Sequence, residues 1–133
     1  MNRIADAGLI IAFLDRKDRF HEWACSVFEK EPPPFYIAEA VVAEIAAVIG
    51  SADDVLRMIE RKDLKIGLDL EEEASALRQL INRYSARTMD LGDACCVRMS
   101  ELLQHAVVYT VDRKDFTVYR RSDRKPVPCL FPE

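Results

Sequence analysis

The sequence predicts an α/β fold, with a mainly parallel sheet that is covered by helices on both faces. Short apolar runs of strand length alternate along the chain with longer segments whose apolar residues recur at helical spacing. The clearest run is Ala106–Val111, which is rich in β-branched valine and has the continuous apolar character of a buried strand. For 133 residues we expect one domain, residues 1–133, with a single core.

The N-terminal part is predicted to hold two strands with helices between them. Arg3–Asp6 is a short strand and Gly8–Leu14 is the helix that follows it, which places Asp6 at the junction. The next apolar stripe predicts an amphipathic helix over residues 20–28. A run of three prolines ends this helix before a second strand, Phe35–Ile37.

The segment Ala38–Ile49 is predicted to be a helix that is apolar nearly all round, and therefore largely buried. Its two exceptions are Glu39 and Glu44. Glu39 suits the first turn, where a carboxylate interacts favourably with the helix dipole. Glu44 lies mid-helix, where a buried carboxylate costs several kcal/mol unless it is paired or bound to a cation. Three arrangements would avoid this cost: Glu44 lies on an exposed edge of the helix, pairs with an arginine, or binds a cation.

Three elements follow in the middle of the chain. Gly50 ends the preceding helix, and Val55–Lys62 forms a short amphipathic one. Leu64–Leu68 alternates in polarity and predicts a strand near an edge of the sheet. Asp69 is the N-cap of a helix over Glu71–Tyr84, whose first turn accommodates three glutamates.

The C-terminal part is predicted to begin with a helix over Met89–Leu103, with Asp90 as its N-cap. Asp93 either completes this capping arrangement or faces the carboxyl edge of the sheet, because apolar residues follow it directly. Beyond the valine-rich strand, Val118–Tyr119 is predicted to form the last strand, and Cys129–Phe131 is expected to dock back on the sheet.

The composition is that of a soluble globular protein. A net charge of −4 does not favour a nucleic-acid binder, which is more often basic, although acids clustered around a metal would account for it. The four cysteines include no CxxC pair, so we expect reduced thiols in a cytoplasmic protein rather than a zinc site. The apolar run Leu9–Leu14 is too short to cross a bilayer, so no membrane partner is expected.

Four carboxylates are expected to meet at one edge of the sheet. In α/β folds the carboxyl ends of parallel strands and the neighbouring helix starts share the edge where ligands bind. Here that set comprises Asp6, Glu44, Asp93 and Asp112. Like charges this close need a counter-charge, and oxygen ligands suit Mg²⁺ or Mn²⁺. Such ions support phosphodiester hydrolysis, whereas GxSxG, GxGxxG and GxxxxGK[ST] are all absent.

Four segments then carry a resemblance that covers nearly the whole chain. They are IADAGLIIAFLDRKDRFHEWA, AEAVVAEIAAVI, MDLGDACCVRMSE and YTVDRKDF. In this order and spacing they resemble the PIN-domain family, and in particular the VapC-type toxins of type II toxin–antitoxin pairs. The resemblance implies a three-layer α/β/α sandwich and an Mg²⁺- or Mn²⁺-dependent endoribonuclease. One departure is Ala7, where many relatives have Ser or Thr.

Carried over residue by residue, the resemblance implies that Asp6, Glu44, Asp93 and Asp112 are the catalytic, metal-binding acids. Asp115 would be a secondary acid, and the Thr110 hydroxyl would support the site. Basic residues near the expected site and in the tail are candidate contacts for RNA: Arg16, Lys17, Arg113, Lys114, Arg120 and Arg121. The family also implies a small antitoxin partner and a homodimer.

One other function remains open, and a second is set aside. A catalytically silent PIN-like module would bind RNA or protein, and weak divalent-ion binding would distinguish it. A phosphotransfer or receiver-type domain also has an acidic pocket, but it needs an acid beside the strand-one aspartate and a lysine after a late strand. Here Asn2 and Arg3 precede Asp6, and no clear lysine fits.

Overall fold

The computed structural model describes residues 1–133 and has an α/β/α fold around one five-stranded sheet. All strand pairs are parallel, and the strand order is β3-β2-β1-β4-β5. The strands are β1 (Asn2–Ala5), β2 (Phe35–Ile37), β3 (Leu64–Ile66), β4 (Ala106–Tyr109) and β5 (Cys129–Leu130). The helices are α1 (Ala7–Leu14), α2 (His21–Lys30), α3 (Glu39–Ile49), α4 (Asp53–Glu60), α5 (Leu70–Arg83), α6 (Leu91–Leu102) and α7 (Arg113–Phe116). The predicted fold class is confirmed.

A row of aromatic rings runs through the core and joins helices to strands. Phe13 of α1 packs on Phe28 of α2, with ring centroids 4.7 Å apart. Phe28 packs on Phe35 of β2 at 4.9 Å, and Phe35 meets Tyr109 of β4 edge to face at 5.1 Å. Such pairs contribute about 0.5–1.5 kcal/mol each beyond the area they bury. The row fixes α1 and α2 against the strands on either side of β1.

The central strands end where polar residues begin. β1 stops at Ala5 and α1 starts at Ala7, so that a single residue, Asp6, makes the turn. The Asp6 N–H donates to the Tyr109 carbonyl at 3.1 Å, which extends the β1–β4 pairing to the last residue of β4. The start of α6 lies beside this edge, because α6 packs against both β1 and β4. The carboxyl edge of the sheet is therefore lined by three chain segments that are distant in sequence.

One predicted strand is wrong, whereas the predicted docking of the last segment on the sheet is confirmed. Val118–Tyr119 is not a strand, since both backbone N–H groups bond back to the Asp115 carbonyl and continue the turn after α7. The last strand is Cys129–Leu130, in the segment that was expected to dock back on the sheet.

Helix α3 is not largely buried, although its sequence is almost entirely apolar. Only Val41 and Ile45 are buried, and Val48 is 62% exposed. The helix packs one face against α1 and α6 and leaves Ala43, Ala47 and Val48 exposed on the other. Its alanines reflect helix propensity more than burial. No helix of the chain has the length and apolar character needed to cross a membrane.

Gly8 offers a test of the close packing between α1 and the segment after β4. A Cβ atom at Gly8 would clash with Cγ2 of Val111. Overpacking of this kind costs about 1–3 kcal/mol, and the helix propensity of alanine offsets only about 0.5–1 kcal/mol. Gly8→Ala should therefore lower the free energy of unfolding, measured by urea denaturation.

The matched control is Val111→Ala, alone and combined with Gly8→Ala. The double variant should recover most of the loss caused by the clash, because the obstructing methyl group is gone. A Gly8→Ala protein as stable as the parent would show that α1 does not approach this segment closely.

Candidate metal centre

Asp6 is the most enclosed acid of the predicted set, with 7% of its surface exposed. It is the N-cap of α1, and its Oδ1 accepts the N–H of Ala7 at 2.9 Å. Its Oδ2 accepts the hydroxyl of Thr110 at 2.7 Å, and the Cys96 thiol lies 3.7 Å from Oδ1. These contacts fix both oxygens of the carboxylate.

Thr110 connects two of the predicted acids. Its hydroxyl donates to Asp6 and accepts the N–H of Asp112 at 3.0 Å, and the residue is completely buried. Asp112 in turn caps α7, where its Oδ1 accepts the N–H of Asp115 at 3.0 Å. The junction after β1 is thus tied to the turn after β4 through one buried hydroxyl.

Asp93 does both of the things that the sequence left open. Its N–H donates to Oδ1 of Asp90, the N-cap of α6, at 2.7 Å. Its carboxylate Oδ2 accepts the hydroxyl of Tyr119 at 2.8 Å. Tyr119 is fully buried and packs edge to face on Tyr84 and Phe116. The Asp93 side chain is therefore held toward the residues that follow β4.

Three carboxylates form the tightest group at this edge. One oxygen from each of Asp93, Asp112 and Asp115 lies within 4.8 Å of the others. The sequence had placed Asp115 only second, yet it belongs to this group, and its Oδ1 also accepts from Nη1 of Arg87 at 2.5 Å. We call these three residues the acidic cluster.

Glu44 approaches the same edge from α3. Its Oε1 lies 3.0 Å from the position that a Cβ atom would take at Gly92, and Oδ1 of Asp90 lies 3.4 Å from that position. A larger residue at Gly92 would push both carboxylates away. Glu44 and Asp6 stay outside the acidic cluster itself. The charge of Asp6 acts on Asp93, whereas Glu44 interacts with Asp6 and Asp90.

Burial raises the pKa values of these acids first, and repulsion between neighbouring carboxylates raises them further. Burial raises the pKa of Asp6, and the charges of Asp112 and Asp90 raise it further. Burial also raises the pKa of Glu44, as do Asp6 and Asp90. The pKa of Asp93 rises to about 7, first through burial and then through neighbouring aspartates. The pKa of Asp112 is raised by burial and by Asp115.

No positive side chain balances the four predicted acids. Asp6, Glu44, Asp93 and Asp112 take part in none of the five ion-pair contacts in the structure. Burial keeps the pKa of the nearby Cys96 thiol well above its usual range, so that only oxygens are available as ligands. Carboxylate oxygens without thiolate or imidazole suit hard divalent cations such as Mg²⁺ and Mn²⁺. The donor set fits such an ion.

Sequence reasoning missed three residues of this region: Arg87, Asp90 as a source of charge, and Tyr119. Asp90 carried a signal, because an acid three residues before Asp93 lies in the same first turn. The sequence held no signal for the other two, because Tyr119 is 26 residues from Asp93 and Arg87 is 28 residues from Asp115 along the chain.

The candidate RNA contacts lie at different distances from the acidic cluster. Arg113 and Lys114 follow Asp112 directly, and the Arg113 guanidinium lies over the ring of Phe131. Arg16 and Lys17 lie beyond the far end of α1, about 12 Å from Asp6 for an eight-residue helix. In the tail, Arg120 Nη1 donates to three carbonyls just before it, while the Nε of Arg121 is buried without a partner.

The raised pKa of Asp93 predicts how stability depends on pH when no metal is bound. Between its ordinary value of 3.8 and about 7, the folded protein holds a proton that the unfolded chain releases. This contribution to stability is complete below 3.8 and is lost as pH rises through about 7. The free energy of unfolding, measured with urea in EDTA, should therefore fall from about pH 5 to about pH 8.

Asp93→Asn isolates this effect, because asparagine keeps an oxygen for the Tyr119 hydroxyl but does not ionise. The variant should gain stability relative to the parent across this range, on the order of 1–2 kcal/mol once solvent screening is allowed for. The raised pKa of Asp93 would be contradicted if the difference in free energy of unfolding between the two proteins did not change with pH, or if the advantage of the variant shrank as pH rises.

Comparison with known proteins identifies the family. The model of the PIN domain matches residues 3–121. No curated protein matches the chain at a significant level. PIN domains have a nuclease-type fold and typically use divalent metal ions, in agreement with the acids at the carboxyl edge of this sheet. Because the match spans far more than half of the sequence, this chain belongs to the PIN domain family.

Proposed function

We propose that this protein is an Mg²⁺- or Mn²⁺-dependent endoribonuclease and the toxin of a type II toxin–antitoxin pair. The observation that carries the proposal is the gathering of carboxylates at the carboxyl edge of the sheet, where Asp6, Glu44, Asp93 and Asp112 have no ion-pair partner and only Asp115 of the acidic cluster is paired, with Arg87. A PIN domain with this donor set intact has the ligands that hydrolysis of a phosphodiester requires.

The acids would hold the ion from different positions. Asp93 and Asp112 would contact it directly, with Asp115 beside them and Asp6 completing the site. The buried hydroxyls of Thr110 and Tyr119 keep Asp6 and Asp93 in fixed orientations, so that little reorganisation is needed when the ion binds. The ion supplies Lewis-acid stabilisation of negative charge and makes a water molecule more acidic.

The reaction is a hydrolysis. The oxygen of a water molecule forms a bond to phosphorus, and the bond from phosphorus to one ribose oxygen breaks. Glu44 would accept the water proton, because it reaches the carboxyl edge from α3 and its raised pKa makes it a better base than an ordinary glutamate. The departing ribose oxygen takes up a proton from solvent. The products are one phosphomonoester end and one hydroxyl end.

Two protein partners belong to the proposal. An antitoxin would block the carboxyl edge most simply with an inserted arginine or lysine, because four acids at that edge have no positively charged partner within the protein. A homodimer would cover the open apolar face of α3, where Ala43, Ala47 and Val48 are exposed. We place the protein in the cytoplasm, where its four free cysteines would stay reduced.

Cleavage of a mixed pool of tRNA and rRNA tests the proposed activity. The wild-type protein should yield discrete fragments with Mg²⁺ or Mn²⁺ and none with EDTA. Asp93→Asn should lower the cleavage rate by about 100-fold or more, because it removes a charged ligand from the acidic cluster. The fragments are separated by denaturing gel electrophoresis and quantified over time.

Asp69→Asn is the matched control, since it makes the same chemical change at the N-cap of α5, away from the acidic cluster. Asparagine is also a good N-cap, so this variant should cleave like the parent. Full activity in Asp93→Asn would refute the site. A wild-type protein that neither cleaves RNA nor binds divalent ions would instead be a silent binding module.

A further inference from the structure

One positive side chain reaches the acidic cluster. Nη1 of Arg87 lies 2.5 Å from Oδ1 of Asp115, and no other arginine or lysine forms an ion pair with the cluster. Arg87 belongs to the connection between α5 and α6, and its backbone N–H donates to the Tyr84 carbonyl at 2.9 Å. Tyr84 packs on Tyr119, which holds Asp93. The base of the arginine is thus fixed to the same scaffold as the site.

The guanidinium of Arg87 has hydrogen-bond donors that it does not use in the structure. It carries five N–H groups, yet the contact with Asp115 is its only side-chain hydrogen bond in the structure, and a third of the side chain is exposed. Arg98, by contrast, uses two nitrogens to bind both Glu73 and Glu101. Arg87 can therefore keep its aspartate and still offer donors to a second anion at the cluster.

We propose that Arg87 is a further catalytic residue, which contacts the phosphate that is cleaved. This inference rests on the proposed ribonuclease function. The planar guanidinium matches two phosphate oxygens at once. As the water oxygen bonds to phosphorus and the bond to the ribose oxygen breaks, negative charge grows on the phosphate oxygens and on the departing oxygen. A fixed cation at that position stabilises this charge more than the charge of the bound substrate.

A purely structural role makes a different prediction. If the ion pair only held Asp115 and the α5–α6 connection in place, its loss would disorder the acidic cluster and weaken ion binding and cleavage together. If Arg87 acts on the phosphate, its loss removes a positive charge beside three carboxylates. The cluster should then attract a divalent ion as strongly as before, or more strongly, while the chemical step slows.

The experiment compares wild type with Arg87→Ala, Arg87→Lys and Arg57→Ala. Arg57 is the matched control, since it also pairs with an aspartate, Asp53, but on the exposed surface of α4. Each protein is assayed for kcat and KM on an RNA that the wild type cleaves, and for Mn²⁺ affinity by calorimetric titration. We expect Arg87→Ala to lower kcat by about 100- to 1,000-fold without weakening Mn²⁺ binding. The kcat of Arg87→Lys should lie between those of the wild type and Arg87→Ala, because lysine keeps the charge but loses the two-point contact.

Arg57→Ala should match the wild type in both assays. The inference is overturned if Arg87→Ala keeps kcat within about twofold of wild type, or if it loses Mn²⁺ affinity in parallel with activity. Either result leaves the proposed function standing, because the wild type still cleaves. A wild type that cleaves no RNA refutes the proposed function, and the role of Arg87 falls with it.

Discussion

The carboxylates at the carboxyl edge of the sheet are held there against the cost of burial and against their mutual repulsion. Burial and neighbouring charge raise the pKa values of Asp6, Glu44, Asp93 and Asp112 together. The cost falls on the folded state, since an unfolded chain would keep these groups apart in water. A bound cation is the simplest way to remove this cost in free energy, because it neutralises the carboxylates without moving them apart.

The surrounding residues make this arrangement possible. Two buried hydroxyls, those of Thr110 and Tyr119, each donate to one carboxylate and so lower its energy without adding charge. Two glycines allow close approach, Gly8 beside Val111 and Gly92 beside Glu44. The aromatic row through the core holds the two strands that flank β1, and β1 leads directly into Asp6. Packing far from the edge thereby sets the geometry of the acids.

Much of this could be predicted because it depends on local sequence. The strand Phe35–Ile37 and the cap at Asp69 follow from nearby apolar and polar residues, and both are confirmed. The four acids could be proposed because parallel topology brings strand ends and helix starts to one edge. That Asp93, Asp112 and Asp115 form the tightest group could not be predicted, since it depends on side-chain directions across 22 residues of sequence.

The failures have the same origin. Val118–Tyr119 has strand-like residues, but Tyr119 is needed in the core beneath Asp93, and the chain turns to bring it there. The apolar character of α3 suggested burial, whereas its place outside α1 and α6 leaves one face open. Arg87 meets Asp115 only because the α5–α6 connection returns to the site. Long-range packing decides each case, and composition within a segment does not report on it.

The decisive measurement of metal binding at this edge is calorimetric titration of Mn²⁺ into the metal-free protein near pH 6.5, in two buffers with different ionisation enthalpies. Because burial raises the pKa of Asp93 to about 7, much of this carboxyl is protonated at this pH and must lose its proton when an ion binds. We expect saturable binding with release of up to about one proton per ion, and a smaller release in Asp93→Asn. No binding, or binding without proton release in the wild type, would contradict this expectation.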